Sequence, residues 1–195
     1  MRRMFVFATM VLACAAGKAQ PLALPLPPAR SIHQGFSLVP LNEQGWLVLA
    51  DRANQFALRK AGADPDESYA VQGGTTSFPV FASLEAFLAE MGKRGAADSP
   101  AGRYRLIAHS AQLAPDKGDM CARMHTVTED QAPTRRSSRT DPMTIEIYAI
   151  TCAHPGNRTI GVMVGYSQRY YPGHRDPQLE TSADQLLASV TLTDL

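Results

Sequence analysis

Two cysteine–histidine pairs offer the sharpest chemistry in this chain. Cys121 and His125 stand four residues apart and Cys152 and His154 two apart, so in extended backbone each pair projects from one face of its strand. Thiolates and imidazoles together would form the Cys₂His₂ set that tetrahedral zinc accepts. Met120 and Met124 beside the first pair are soft enough to suit Cu(I). The spacing matches no standard zinc motif, and the two sulfurs have a competing use in each other. Thiols outside the cytoplasm oxidise, and strands that neighbour one another bring opposed Cα atoms within disulfide range. Such a bond would close a loop of about 32 residues, worth roughly 3–4 kcal/mol on the chain-entropy model. A disulfide between Cys121 and Cys152 with surface histidines beside it is the expectation, and the metal set Cys121, His125, Cys152 and His154 is the alternative.

Two loops carry cations. Arg135, Arg136 and Arg139 lie in a polar connection with Ser137 and Ser138, where guanidinium groups could grip a phosphate or carboxylate or stand solvated, balanced by Glu129, Asp130 and Asp141. The run from Arg169, Tyr170 and Tyr171 to Asp176 mixes aromatic rings with charge. Such rings could stack on a ligand, an envelope glycan for example, or close the end of a sheet. No G-x-S-x-G, H-E-x-x-H, P-loop or G-x-G-x-x-G motif is present, so no catalytic residue and no cofactor is assigned. His109 sits in a strand candidate between Ala108 and Ser110 and reads as a half-buried strand residue.

The start of the chain sets the compartment. Arg2-Arg3, an apolar run from Met4 to Leu12 and a small residue before Cys14 form an export signal. The four residues ending at Cys14 look like a bacterial lipobox, with cleavage before Cys14 and acylation there. A rival cut after Ala19 would release a soluble protein. Residues 1–19 are thus assigned to the signal, and the expected location is the periplasm with a lipid anchor as the one membrane attachment. Either cut leaves Cys121 and Cys152 as an even pair. Hydrophobic content of 45% with 19% charged residues is globular, and no second apolar run approaches the ~20 residues of a membrane span. Nineteen basic residues oppose 18 acidic ones, and removal of Arg2 and Arg3 leaves 17 against 18. A balanced chain lacks the cationic footprint that nucleic acid requires.

The elements that must position these residues follow from periodicity. Four prolines between Gln20 and Pro28 predict an extended spacer over residues 20–35, leaving one domain over 36–195. Trp46 to Arg52 and Phe56 to Lys60 form a hairpin around Ala53-Asn54-Gln55, Ser68 to Gln72 is a third strand, and Gly73-Gly74 breaks it. Ser83 caps a helix whose stripe is Leu84, Phe87, Leu88 and Met91, ending at Gly92. Long strands follow at Arg103 to Leu113, Met120 to Thr128, Thr144 to Cys152 and Thr159 to Arg169. Thr181 or Ser182 caps a second helix through Ala188, before a last strand at Val190 to Leu192. In Thr159 to Arg169, glycines 161 and 165 thin one face and would let a helix pack close.

Strands joined by turns, with two main helices, predict an α+β fold built on a mainly antiparallel sheet of about six to nine strands. The order of a Gly45-Trp46 strand, a Ser83-Leu84-Glu85-Ala86-Phe87 helix, a run of long strands and a closing Ala183 to Leu192 segment resembles the PsbP-like fold. Cys152-Ala153-His154-Pro155 and Tyr166-Ser167-Gln168-Arg169 are similar to segments of small exported proteobacterial proteins of unknown function. The resemblance spans Phe36 to Leu195 and implies an α/β/α sandwich but no activity. The functional expectation is a non-enzymatic envelope accessory protein that binds an envelope protein or glycan. A small enzyme with a dispersed site and a metal-handling protein are the alternatives.

Overall fold

The computed structural model describes residues 22–97, 102–134 and 137–195, with the side chains of residues 95–97 set aside. Its elements run β1 (Leu22–Ala23), β2 (Ser31–His33), β3 (Phe36–Leu38), β4 (Leu47–Arg52), β5 (Gln55–Ala61), β6 (Ser68–Ser77), α1 (Leu84–Ala97), β7 (Tyr104–Leu113), β8 (Cys121–Asp130), β9 (Met143–Ala153), β10 (Ile160–Tyr170), α2 (Leu179–Ala188) and β11 (Thr191–Leu192). Eight strands form one sheet in the order β1-β4-β5-β6-β10-β9-β8-β7, and β11-β3-β2 form a small second sheet. Every pairing is antiparallel. The α+β expectation is met. No helix among the described residues is long and apolar enough to cross a membrane.

Directly opposed residues share a face of an antiparallel sheet, so the register sorts the side chains. One face carries the rows Leu58, Val71, Tyr166, Tyr148, His125 and Phe56, Gly73, Val164, Ile150, Arg123. This face is covered by α2 and the small sheet. Phe36, Leu38, Trp46, Leu179, Leu186 and Leu187 close over it as the main core, each such large side chain contributing about 1.5–3 kcal/mol by burial. The other face carries the row Gln55, Gly74, Met163, Thr151, Ala122. There α1 packs on β7 and β8, burying Phe87 and Met91 against Phe78, Ala122 and Ala153.

The helix cap at Ser83 is as the sequence predicts: its Oγ accepts from the Ala86 amide at 3.2 Å. The stripe reading needs one change, because Leu84 stays exposed while Phe87 and Met91 are fully buried. The helix also runs through Gly92 to Ala97, since a solvent-facing glycine costs a helix only about 1 kcal/mol. Glycines 73 and 74 do not break β6, which continues to Ser77. A Cβ on Gly73 would stand 2.7 Å from the Phe36 ring, so glycine is what lets that ring lie on the strand. No side chain of Thr181 or Ser182 caps α2. It starts at Leu179, where the Asp176 carboxylate accepts the Gln178 amide at 2.8 Å.

The described part of the Pro-rich segment does not stand off as a spacer. Leu22 and Ala23 pair with Val48 and Leu47, the Leu24 amide donates to the Trp46 carbonyl at 2.9 Å, and Ser31–His33 pairs with β3. The β2–β3 turn uses Gly35 at φ +88°, the left-handed conformation that a two-residue hairpin demands. Proline restricts the backbone but leaves the short stretches between prolines free to join a sheet edge.

Candidate functional site

Each face of the large sheet holds a cluster of polar groups. On the α2 face the centre is Glu146, the one charged residue of strand β9 and 3% exposed. Arg175 grips it with a two-pronged guanidinium, Nε to Oε2 at 2.8 Å and Nη2 to Oε1 at 2.9 Å. The hydroxyls of Tyr170 (2.8 Å) and Tyr148 (2.9 Å) also donate to it. His125 Nε2 lies 3.0 Å from Oε1; facing a carboxylate, that nitrogen carries the proton. The His125 ring stacks on Tyr148 at 4.3 Å.

Burial alone would push the Glu146 carboxyl upward, but the hydrogen bonds from Arg175, Tyr170, Tyr148 and His125 prevail and hold it at about 2. Burial and the bond to Glu146 push the Tyr148 hydroxyl up to about 12. A carboxylate, a histidine and hydroxyls are therefore within reach of one another, yet their order is not that of a nucleophile relay. In such a relay the imidazole stands between hydroxyl and carboxylate; here the carboxylate is the hub on which every donor converges, and it stays ionised at any neutral pH. The arrangement ties β9, β10 and the segment before α2 together.

A second carboxylate pair anchors the same end of the sheet. Tyr171 donates its hydroxyl to Asp66 Oδ2 at 2.8 Å and its amide to Glu67 Oε1 at 3.1 Å. His174 Nδ1 lies 2.7 Å from Glu67 Oε1. Tyr170 and Tyr171 are 7% and 1% exposed, so these rings do not form the surface stacking platform that their sequence setting allowed. Arg139 lies over the Tyr171 ring at 4.6 Å and 3.9 Å from Asp64. Arg169 projects from the other face of β10, donating to the Thr134 carbonyl at 3.4 Å with Asp130 at 3.6 Å. Arg139 and Arg169 are thus held in separate ion pairs and do not converge. Arg135, Arg136 and the lipidation candidate Cys14 lie outside the described residues.

Cys121 and Cys152 are register partners and form a disulfide, Cα to Cα 4.1 Å. The sulfurs are bonded to each other, which leaves no thiolate for the alternative metal set. His125 is engaged with Glu146, and His154 Nε2 meets the Thr193 carbonyl at 2.7 Å. No metal-holding group of histidine, cysteine and acid residues occurs among the described residues. His109, as its position predicts, is half-buried and bridges Thr126 and the Met91 carbonyl.

The opposite face differs. Glycines 161 and 165 were expected to admit a helix, but α1 covers β7 and β8 and stops short of them. Over Gly161 lies the Phe78 ring, which a Cβ there would approach to 2.8 Å. Beyond Phe78 no helix covers the sheet, and a cleft of about 470 Å³ opens over β5, β6, β10 and β9. This volume falls in the range of small-molecule sites. Gln55, Gly74, Met163 and Thr151 cross its floor, a span of about 14 Å at ordinary strand spacing. Met163 is 45% exposed there, and Arg94 from α1 is the one charged residue among the described lining.

Four buried side-chain polar atoms lack a hydrogen-bond partner among the described residues: Trp46 Nε1, Arg94 Nε, Thr151 Oγ1 and Arg169 Nε. Two of these, Thr151 Oγ1 and Arg94 Nε, belong to residues lining this cleft. Thr151 is 5% exposed, and an unsatisfied hydroxyl at such depth costs about 1–3 kcal/mol. The one acid that Arg94 pairs with among the described residues is Glu90, whose Oε1 lies 3.7 Å from Nε, beyond hydrogen-bond length. Sequence reasoning passed over both residues. A threonine in a strand and an arginine near a helix end are ordinary, and their lack of partners exists only in three dimensions. Glu146 did carry a signal, as the single charged residue within a long strand. Neither protein-family models nor curated proteins give a match to this chain.

Proposed function

We propose that this chain is a non-enzymatic accessory protein of the cell envelope, exported to the periplasm and held at a membrane by lipid on Cys14, which binds a component of that envelope in the sheet cleft. The observation that carries the reading is the open cleft of about 470 Å³ itself, floored by the half-exposed Met163 and edged by Arg94, the one charged residue in its described lining. A cavity of this size, with an apolar floor and a single cation at its edge, is of the kind that takes a small molecule. The export reading draws on Arg2-Arg3, the apolar run and Cys14. The disulfide supports an oxidising compartment. Layering of α1, the large sheet, and α2 with the small sheet accords with a PsbP-like α/β/α sandwich.

The test is native mass spectrometry of the chain purified gently from envelope extracts. A defined small mass should accompany it, and Met163→Trp, which fills the cleft, should remove that mass. A chain that carries nothing under these conditions, with wild type and variant alike, contradicts the reading. Cys14→Ser should move the protein from the membrane to the soluble fraction. Retention at the membrane would contradict the anchor.

A further inference from the structure

Resting on the cleft reading above, we infer that its occupant is a small amphipathic carboxylate whose anionic head meets Arg94 and whose apolar body lies across Met163 and Met124. The charge argument is simple. Arg94 is the one charged group in the described lining; its side chain is 27% exposed, and Glu90, its ion-pair neighbour one helical turn away, stays 3.7 Å from Nε, beyond hydrogen-bond length. An Arg–carboxylate pair formed away from bulk water is short, strong and forked, whereas a neutral acceptor would bond the guanidinium without meeting its charge. The side chain is also held in place for this work. It lies across the Phe78 ring at 4.6 Å, and Phe78 in turn is wedged over Gly161 and against Phe81 and Phe87. A cation stacked in this way has lost much of its freedom before a ligand arrives, which lowers the cost of binding.

The rest of the cleft asks for an apolar body. Met163 exposes its thioether on the floor, and Met124 and Phe78 form a wall; flexible methionines adapt to aliphatic chains. The floor runs across four strands, about 14 Å, a length that suits an extended acyl chain better than a compact metabolite.

The experiment is calorimetric titration of the exported chain with dodecanoate and, in parallel, dodecanol, both below micelle formation. Dodecanoate should bind saturably and at least ten-fold more tightly than dodecanol. Arg94→Gln, checked by circular dichroism for an unchanged fold, should erase most of that difference, while Met163→Trp should abolish binding of both. Equal affinities for acid and alcohol, untouched by Arg94→Gln, would overturn the carboxylate assignment and leave the cleft as the binding place. Absence of saturable binding by either probe would overturn the inference; the mass spectrometric test above then decides separately whether the cleft holds some other molecule.

Discussion

The two faces of one sheet treat polar groups in opposite ways. On the α2 face, Glu146 collects donors from Arg175, Tyr170, Tyr148 and His125 until neither oxygen is unpaired. On the α1 face, Thr151, one strand position from Cys152, is nearly as buried and its hydroxyl has no partner among the described residues. The two residues belong to the same strand and differ by five positions, which places them on opposite faces. A saturated cluster has nothing left to offer a ligand and works as a clasp. An unsatisfied buried group is a cost to the fold that no partner among the described residues offsets. The histidine, tyrosines and carboxylates that look catalytic are thus the clasp, and the open cleft lies on the face where a threonine hydroxyl is left unpaired among the described residues.

That contrast can be broken most forcefully at its saturated end. Glu146→Leu should destabilise the fold by about 3–5 kcal/mol, because Arg175 and two tyrosine hydroxyls lose their acceptor in a buried setting. Urea unfolding reads this directly, and a loss below 1 kcal/mol would show that the clasp holds little. The disulfide on the same face should matter nearly as much. Cys121→Ser and Cys152→Ser should each cost roughly 3–4 kcal/mol, and the double variant little more, since all three remove one cross-link. Additive losses would mean that the cysteines contribute separately.

Acid provides a finer probe. The folded Glu146 carboxyl is held at about 2, below its ordinary 4.5, so the stability it contributes is present above pH 4.5 and is lost as pH falls toward 2. The loss should amount to roughly 3 kcal/mol, and Glu146→Gln should lack that part of the acid sensitivity. Matching acid profiles would place the effect on other carboxylates. At the unsatisfied end the smallest change is expected. Thr151→Val keeps shape and removes the orphan hydroxyl, so the fold should be unchanged or up to about 1 kcal/mol more stable, measured in the same urea titration. A clear loss of stability would show that the hydroxyl already has a partner.

The difference between the faces also explains what could be read from residues in order. The long strands and α1 announce themselves by alternation and by the Phe87–Met91 stripe, and consecutive placement of β8 and β9 made the Cys121–Cys152 bond a fair expectation. Strands β1 to β3 are two or three residues long, too short for any period to register, and they occur where prolines and Gly35 argue for loop. Gly73-Gly74 read as a break because the Phe36 ring that requires them lies far off in the chain. The Glu146 clasp needed Arg175, 29 residues away, to become visible. The cleft had no signal at all, since it is defined by where α1 stops and by what Thr151 fails to touch.

Methionine methyl resonances offer the most direct test of the division between the faces, because Met163 and Met124 lie in the cleft while the His125 ring reports on the clasp. In a titration of the exported chain with dodecanoate, the Met163 and Met124 methyl signals should shift together and saturate, and the His125 ring signals should stay in place. Movement of His125 with silent methionines would put the ligand on the α2 face and contradict the account.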